Sequence, residues 1–159
     1  WTMSADEQGA ERSMDEPARL ALVCADQADR QTAIKGALEQ LGLTLQIAKD
    51  AAEAIDALRK SAYEVIVLDE EFQGATPLDN PVLKAIAVMS ITVRRYVLVA
   101  LVGKDVKTFD NMTAFAKSVN VVVNVNDLPQ LVGVLRRALA DNNEFYRVYR
   151  QVLREAGKR

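Results

Sequence analysis

Five short runs rich in apolar residues divide this chain, and segments with helical spacing of apolar residues lie between them. The runs cover residues 20–24, 43–48, 63–68, 97–102 and 121–123. Continuous apolar runs of this length are typical of strands buried on both faces, as in parallel sheets. Because parallel strands need crossover connections, the alternation predicts an α/β fold with helices on both faces. For five strands we expect the doubly wound, flavodoxin-like order 2-1-3-4-5.

The intervening helices are predicted from apolar side chains three and four positions apart. The first covers residues 27–41, and Asp50 is well placed to cap the second. Pro81 suits the first turn of the third helix, because proline lacks the amide hydrogen that is unpaired there. The fourth helix is predicted over residues 108–120 and the fifth up to about Ala140.

Composition and apolar pattern divide the chain into three segments. Residues 1–17 are acidic and lack apolar periodicity, which predicts a disordered leader or linker. Residues 18–140 form the predicted sheet domain, and residues 141–159 a C-terminal helical extension. Since the first residue is Trp1 rather than methionine, we suspect a fragment of a longer protein.

The extension carries an aromatic face. Phe145, Tyr146, Tyr149 and Leu153 fall mainly on one side of a helix. Tyrosine and phenylalanine are enriched in the cores of protein interfaces. Two interpretations stay open. The face either packs against its own domain, including as a continuation of the fifth helix, or it binds a protein partner or a second copy.

Composition excludes several kinds of chemistry. The chain has no histidine, which removes histidine-based triads and most catalytic zinc sites. A nucleotide-binding domain requires a glycine-rich turn after the first strand, and this chain has none there. We therefore expect neither an enzyme nor an organic cofactor.

Charge and cysteine content also limit the partners and the compartment. A net charge of −2 offers no footprint for nucleic acid, and the apolar stretches are too short to span a membrane. The single cysteine, Cys24, lies in an apolar run and is predicted to be a core residue. It cannot form an internal disulfide, which fits a reducing cytoplasm.

Chemistry in such folds is expected where the strands end, because open α/β sheets bind ligands outside the carboxyl ends of their strands. Asp69 follows the apolar run Val-Ile-Val-Leu at residues 65–68. The ends of the first, fourth and fifth strands are Ala25 with Asp26, Val102 and Asn124.

These segments resemble the receiver domain of bacterial response regulators over residues 18–140. The resemblance lies in Leu-Val-Cys-Ala-Asp at residues 22–26 and Tyr-Glu-Val-Ile-Val-Leu-Asp at residues 63–69. It extends to Asn-Val-Asn-Asp-Leu at residues 124–128, in the place of the family's Lys-Pro-Phe segment. It implies that Asp69 stands at the phospho-accepting position and Asp26 at the second of two metal-binding acids.

The family's other functional positions are altered. The first acid is Ala25, the Thr or Ser that reads the phosphoryl group is Val102, the lysine is Asn124 and the switching aromatic is Val121. Removal of one preorganised donor lowers a rate by roughly 100-fold to 1,000-fold. The resemblance therefore implies a degenerate receiver, or pseudo-receiver, that acts as a protein-interaction module in signalling. From the residues themselves, Val121 is predicted to be core and Asn124 to stabilise a turn.

An alternative stays open in which the chain is a working phospho-acceptor. There Asp69 is the nucleophile, and Mg²⁺ binds Asp26, Asp69 and the backbone carbonyl near Glu71. Against this, we expect Glu70, Glu71 and Asp26 to be solvated loop residues. Lys104 is a candidate to replace the missing lysine, although its position just past the fourth strand is unfavourable.

Overall fold

A computed structural model describes residues 19–157, which form a five-stranded parallel sheet with the order β2-β1-β3-β4-β5. The strands are β1 (Leu20–Cys24), β2 (Thr44–Ile47), β3 (Val65–Asp69), β4 (Leu98–Gly103) and β5 (Val121–Asn124). All four neighbouring pairs are parallel. The predicted fold class and strand order are confirmed.

Helices connect the strands on both faces of the sheet. They are α1 (Ala28–Gln40), α2 (Ala51–Lys60), α3 (Pro81–Ala87), α4 (Ile91–Arg94), α5 (Asn111–Ala116) and α6 (Leu131–Glu155). Two 3₁₀ segments lie at Phe72–Gly74 and Val125–Gln130. No helix in residues 19–157 is both long and apolar enough to cross a bilayer.

Side-chain caps determine where several helices begin. The carboxylate of Asp50 accepts a hydrogen bond from the Glu53 amide at 2.8 Å, and Pro81 occupies the first turn of α3 as predicted. The Asn80 side chain caps α3 by accepting from two amides. Such caps pair amides that have no partner inside the helix.

The core has two layers because successive strand residues point to opposite faces. One layer contains Val23 and Val67 with Ile34 of α1 and Leu135 of α6. The other contains Ile66 and residues of α2, α3 and α5. Cys24 is fully buried in this second layer, and desolvation raises the pKa of its thiol to about 12. It is a core residue, as predicted.

The helix predicted over residues 108–120 is shorter in the structure, at Asn111–Ala116. Phe109 and Ser118 both have positive φ angles, 68° and 62°, which a right-handed helix does not permit. Asp110 caps the helix between them. The predicted boundaries were therefore wrong at both ends.

The C-terminal extension does not form a separate helix. It continues α6 without a break to Glu155, which agrees with one of the two interpretations. An ion pair between Glu144 and Arg147 at 2.7 Å supports the helix beyond the polar stretch at residues 141–143. The predicted leader, residues 1–17, lies outside the described residues.

Candidate functional site

The candidate site lies at the carboxyl edge of the sheet, where the strand order changes direction between β1 and β3. Asp69 is the last residue of β3 and is completely buried. Its neighbour on β4 is Val102, and Cys24 at the end of β1 pairs with Leu68. The strand register thus places Asp69 between the ends of β1 and β4, the two strands that flank β3.

Arg30 of α1 binds Asp69 directly. Its Nη1 atom donates to Oδ1 and Oδ2 of Asp69 at 3.1 and 3.0 Å, and to Oε1 of Glu71 at 3.0 Å. The backbone amide of Glu71 also donates to Oδ1 of Asp69 at 2.9 Å. Both carboxylate oxygens of Asp69 therefore have partners, as a buried charge requires.

The electrostatics of the site favour the ionised forms. Partial burial opposes the charge of Arg30, but hydrogen bonds to Asp69 and Glu71 outweigh it and raise the pKa of Arg30. The hydrogen bond from Arg30 lowers the pKa of Glu71 against desolvation, and the charge of Lys104 adds to this effect. Arg30 and Glu71 are thus both charged and paired at neutral pH.

Glu70 is buried, so the expectation of a solvated loop was wrong for this residue. Its amide donates to the carbonyl of Val102 at 2.9 Å, which extends the β3–β4 ladder by one residue. Its carboxylate lies over Gly103 and pairs with Nζ of Lys117 at 3.2 Å. A Cβ atom on Gly103 would lie 2.0 Å from Oε1 of Glu70, so any larger residue there requires the Glu70 carboxylate to move.

Asp26, the second predicted acid, is exposed and interacts elsewhere. Its Oδ2 atom accepts from the backbone amide of Gln73 at 3.2 Å and from the Gln73 side chain at 3.3 Å. Gln73 lies in the left-handed region, with φ of 58°, which turns its amide toward Asp26. The structure thus links Asp26 to the 3₁₀ turn that follows β3.

The predicted metal residues Asp26, Asp69 and Glu71 do not fit a metal ion as they are placed. Arg30 bridges Asp69 and Glu71, with nitrogen to oxygen distances of 3.0 to 3.1 Å. Magnesium needs oxygen ligands at about 2.0–2.1 Å in octahedral geometry. Within residues 19–157, no group of three or more Asp, Glu, Cys or His side chains could hold a metal ion.

The residues at the positions that the resemblance marks as altered are either apolar or hydrogen-bonded to the backbone. Ala25 and Val102 are completely buried, and Val121 is almost completely buried, as predicted for that residue. The Asn124 side chain donates to the carbonyl of Val106 at 2.7 Å and accepts from the amide of Asn126 at 2.9 Å. Asn124 therefore stabilises a turn, the role that its residue type favours.

Lys104 lies at the rim of the site. Its Nζ atom is 3.5 Å from Oε2 of Glu71, and its side chain is largely exposed. Lys104 thus pairs with one carboxylate oxygen of Glu71 and Arg30 with the other.

The aromatic residues of the extension form a cluster. The ring of Tyr146 contacts those of Phe145 and Tyr149 edge to face, with centroids 5.0 and 6.2 Å apart. Arg95 lies over the ring of Tyr149 and donates to its hydroxyl at 3.3 Å, which ties this ring to its own domain. Phe145 remains two-thirds exposed, and Leu153 is half-buried.

Sequence reasoning missed Arg30, Lys117 and Gly103 as members of the site. Arg30 follows Asp26 by one helical turn, which places it above the strand ends. That spacing was the available signal, but arginine on an early helical turn is most often solvated. No local sequence pattern indicated the role of Lys117, because Lys117 and Glu70 are 47 positions apart in the chain.

Comparisons with known proteins show that solved receiver domains share this fold. No protein-family model matches the sequence, and no curated protein matches it either. NtrX from Brucella abortus is similar in structure, with a TM-score of 0.60 and 19% identity over 90% of this chain. This chain spans only 31% of the NtrX chain.

Two separate receiver domains match over nearly their whole length. The receiver domain of the sensor histidine kinase PA1611 from Pseudomonas aeruginosa PAO1 has a TM-score of 0.59, with 17% identity over 78% of this chain and 99% of its own. A CheY-like receiver domain protein from Methanospirillum hungatei JF-1 has a TM-score of 0.61, with 11% identity over 80% of this chain and 98% of its own. At such identities the likeness concerns the fold, and the chain has the CheY-like receiver fold with a long C-terminal helix.

Proposed function

We propose that the chain is a pseudo-receiver module of bacterial signal transduction, which binds a protein partner and is not switched by phosphorylation. The observation that carries this proposal is the ion pair between Arg30 and the buried Asp69. An acceptor carboxylate must present a free oxygen to the phosphoryl group. Here both oxygens of Asp69 already accept hydrogen bonds.

The surroundings of Asp69 lack the groups that stabilise a transferring phosphoryl group. Metal ions and cationic side chains neutralise its oxygens, and preorganised donors bind them. Val102 supplies no hydroxyl, and the amide of Asn124 is engaged by backbone carbonyls. The ammonium of Lys104 is paired with Glu71. These losses support a role in which binding, and not phosphoryl transfer, is the function.

An apolar surface on α4 and the extension is the candidate binding region. We call it the α4–α6 surface, and its exposed members are Ile91, Val93, Tyr96, Phe145, Val148 and Val152. Arg95 joins the two parts, because its guanidinium lies 5.5 Å from the ring centres of both Tyr96 and Tyr149. Contiguous exposed apolar patches mark interaction sites, and the contacts of Arg95 are the link between the two parts of this surface.

The partner is a protein or a second copy of the chain, bound through α6 and its extension. Aromatic residues and arginine are the types enriched in interface cores. Phe145, Tyr146 and Tyr149 supply such rings, and Leu153 adds an aliphatic contact one turn further. Nucleic acid and membranes are not proposed as partners.

The test is a titration of the full chain with Mg²⁺ and beryllofluoride, followed by amide NMR. We expect no saturable shifts near Asp69, and the Asp69→Asn variant is the control. Saturable shifts around Asp69 that are absent from the control would contradict the pseudo-receiver function. Incubation with a small phosphodonor and mass spectrometry of the intact chain gives an independent readout.

A working phospho-acceptor is the second candidate, and one observation favours it. Lys104 places an ammonium 3.5 Å from Oε2 of Glu71, a carboxylate that shares Arg30 with Asp69. Mg²⁺ on Asp26, Asp69 and the Glu71 carbonyl then supplies the remaining charge. The PA1611 receiver domain coordinates magnesium in its active-site cleft. In this chain Arg30 must first leave Asp69, and the same titration decides between the candidates.

A further inference from the structure

A single nitrogen atom lies at the centre of the acidic site. Nη1 of Arg30 is within 3.1 Å of three carboxylate oxygens, two from Asp69 and one from Glu71. Its contacts converge on one atom, as contacts to a metal ion do. The side chain of Arg30 is only 14% exposed, so this cation is largely withdrawn from water.

We propose that Arg30 is the resident cation of this acidic site and that its guanidinium excludes divalent metal ions. The proposal rests on the proposed function, since it names the residue that keeps Asp69 out of metal-dependent phosphoryl chemistry. It predicts that a magnesium site is latent in the chain and becomes available when the charge of Arg30 is removed.

Asp69, Glu70 and Glu71 already have cationic partners without a metal. Asp69 and Glu71 face Arg30 and Lys104, and Glu70 has its own partner in Lys117. A divalent ion beside Arg30 meets a like charge at short range, and the low dielectric of a buried site strengthens that repulsion. It also needs oxygens at about 2.0–2.1 Å, whereas these oxygens surround a nitrogen at 3.0 to 3.1 Å. The metal and the guanidinium therefore compete for one position.

The chain holds Arg30 in place through its neighbour. Nε2 of Gln31 donates to the carbonyl of Ala25 at 2.8 Å, which ties the first turn of α1 to the end of β1. The amide of Gln31 also bonds to the carbonyl of Gln27 at 2.8 Å. With the helix start fixed, the guanidinium is preorganised over Asp69, which lowers the entropy lost in forming the pair.

A guanidinium also keeps its own charge as the pH changes. Arginine stays protonated at every pH at which proteins are folded, whereas lysine or histidine in the same place can lose its charge. Release of the resident cation therefore requires movement of the side chain or of α1, or protonation of the carboxylates that hold it.

The test compares Mg²⁺ binding by the full chain and by its Arg30→Gln variant, using amide NMR and the thermal midpoint. Arg59→Gln is the matched control, because it removes one exposed positive charge from α2. The wild-type chain and the control are expected to show no saturable response at millimolar Mg²⁺. Arg30→Gln is expected to bind roughly tenfold more tightly or better, with shifts centred on residues 69–71.

Further variants make the assignment specific. Adding Asp69→Asn to Arg30→Gln is expected to abolish the gained binding. Arg30→Met keeps an apolar stem and loses the charge together with its N–H donors, so it serves as a second variant if the glutamine variant does not fold. For either variant, Mg²⁺ is expected to raise the thermal midpoint, because a ligand that binds only the folded state stabilises it.

Saturable Mg²⁺ shifts around Asp69 in the wild-type chain would overturn the inference. Variants that fold but stay as indifferent to Mg²⁺ as the wild-type chain would overturn it as well. The proposed function fails on a different result, the uptake of beryllofluoride by the wild-type chain. Variants that bind no Mg²⁺ while the wild-type chain takes up no beryllofluoride would refute the role of Arg30 alone.

Discussion

Arg30 of α1 and Asp69 of β3 form an ion pair across the carboxyl edge of the sheet, with Nη1 3.0 Å from Oδ2. The pair joins residues 39 positions apart, and it places a positive charge against a carboxylate that has no contact with solvent. In the CheY-like fold this edge is where ligands bind. In this chain a side chain of the protein itself occupies it.

Loss of this pair is expected to destabilise the domain. Arg30→Ala leaves the buried Asp69 with only the amide of Glu71, and breaking a buried pair costs about 3–5 kcal/mol. We expect a loss of about 3 kcal/mol, at the low end, because Arg30 retains some solvent contact. Urea denaturation measures it. Lys60→Ala, which breaks the exposed pair with Asp56, is the control and is expected to change little.

Gly103→Ala is expected to disturb the buried Glu70. The new Cβ atom meets Oε1 of Glu70 at 2.0 Å and Cδ at 2.9 Å, so the carboxylate that pairs with Lys117 must shift. We expect a loss of about 1–3 kcal/mol in the free energy of unfolding, as for other overpacked sites.

Gly133→Ala is the matched control for that substitution. Gly133 is an exposed residue of α6, and no atom lies within 4 Å of the place that an added Cβ atom would take. Alanine there is expected to stabilise the helix by about 0.5–1 kcal/mol. Adding Glu70→Ala to Gly103→Ala is expected to remove most of the penalty. An unchanged penalty in that double variant would contradict the assigned clash.

The acid dependence of stability is expected to involve Glu71. Its pKa is lower in the folded chain than its ordinary value of 4.5, chiefly because Arg30 donates to it. Its contribution is therefore present above pH 4.5 and is lost as the pH falls through the lowered folded pKa. Glu71→Gln is expected to flatten this part of the pH profile of unfolding. In the Arg30→Met variant, NMR titration is expected to show the pKa of Glu71 moved upward.

Partner binding is expected to depend on the α4–α6 surface. Val148→Glu places a charge on a half-exposed residue of that surface and is expected to abolish self-association or partner binding. The stability of the isolated domain is expected to stay within about 0.5 kcal/mol. Sedimentation velocity and urea denaturation measure the two effects. Leu78→Glu, at a position that is 93% exposed outside this surface, is the control and is expected to leave association unchanged.

Much of the fold could be predicted from the sequence because its signals are local. Apolar runs such as residues 65–68 marked the strands, and Asp50 and Pro81 marked helix starts through their own backbone chemistry. The short α5 could not be predicted in the same way. Its limits depend on positive φ angles at Phe109 and Ser118, which neither residue type favours.

The candidate site was likewise predictable from the sequence only in part. The sequence by itself determined which residues end the strands, so Asp69, Val102 and Asn124 were correctly expected at one edge, with no hydroxyl and no lysine beside the carboxylate. Only the tertiary structure decided which cation that carboxylate meets. Arg30 and Lys117 have long, flexible side chains and are distant in sequence from the carboxylates that they pair with, so either could have been solvated. Their pairing follows from the packing of α1 and α5 against the sheet, because a buried carboxylate requires a partner and these were the cations within reach.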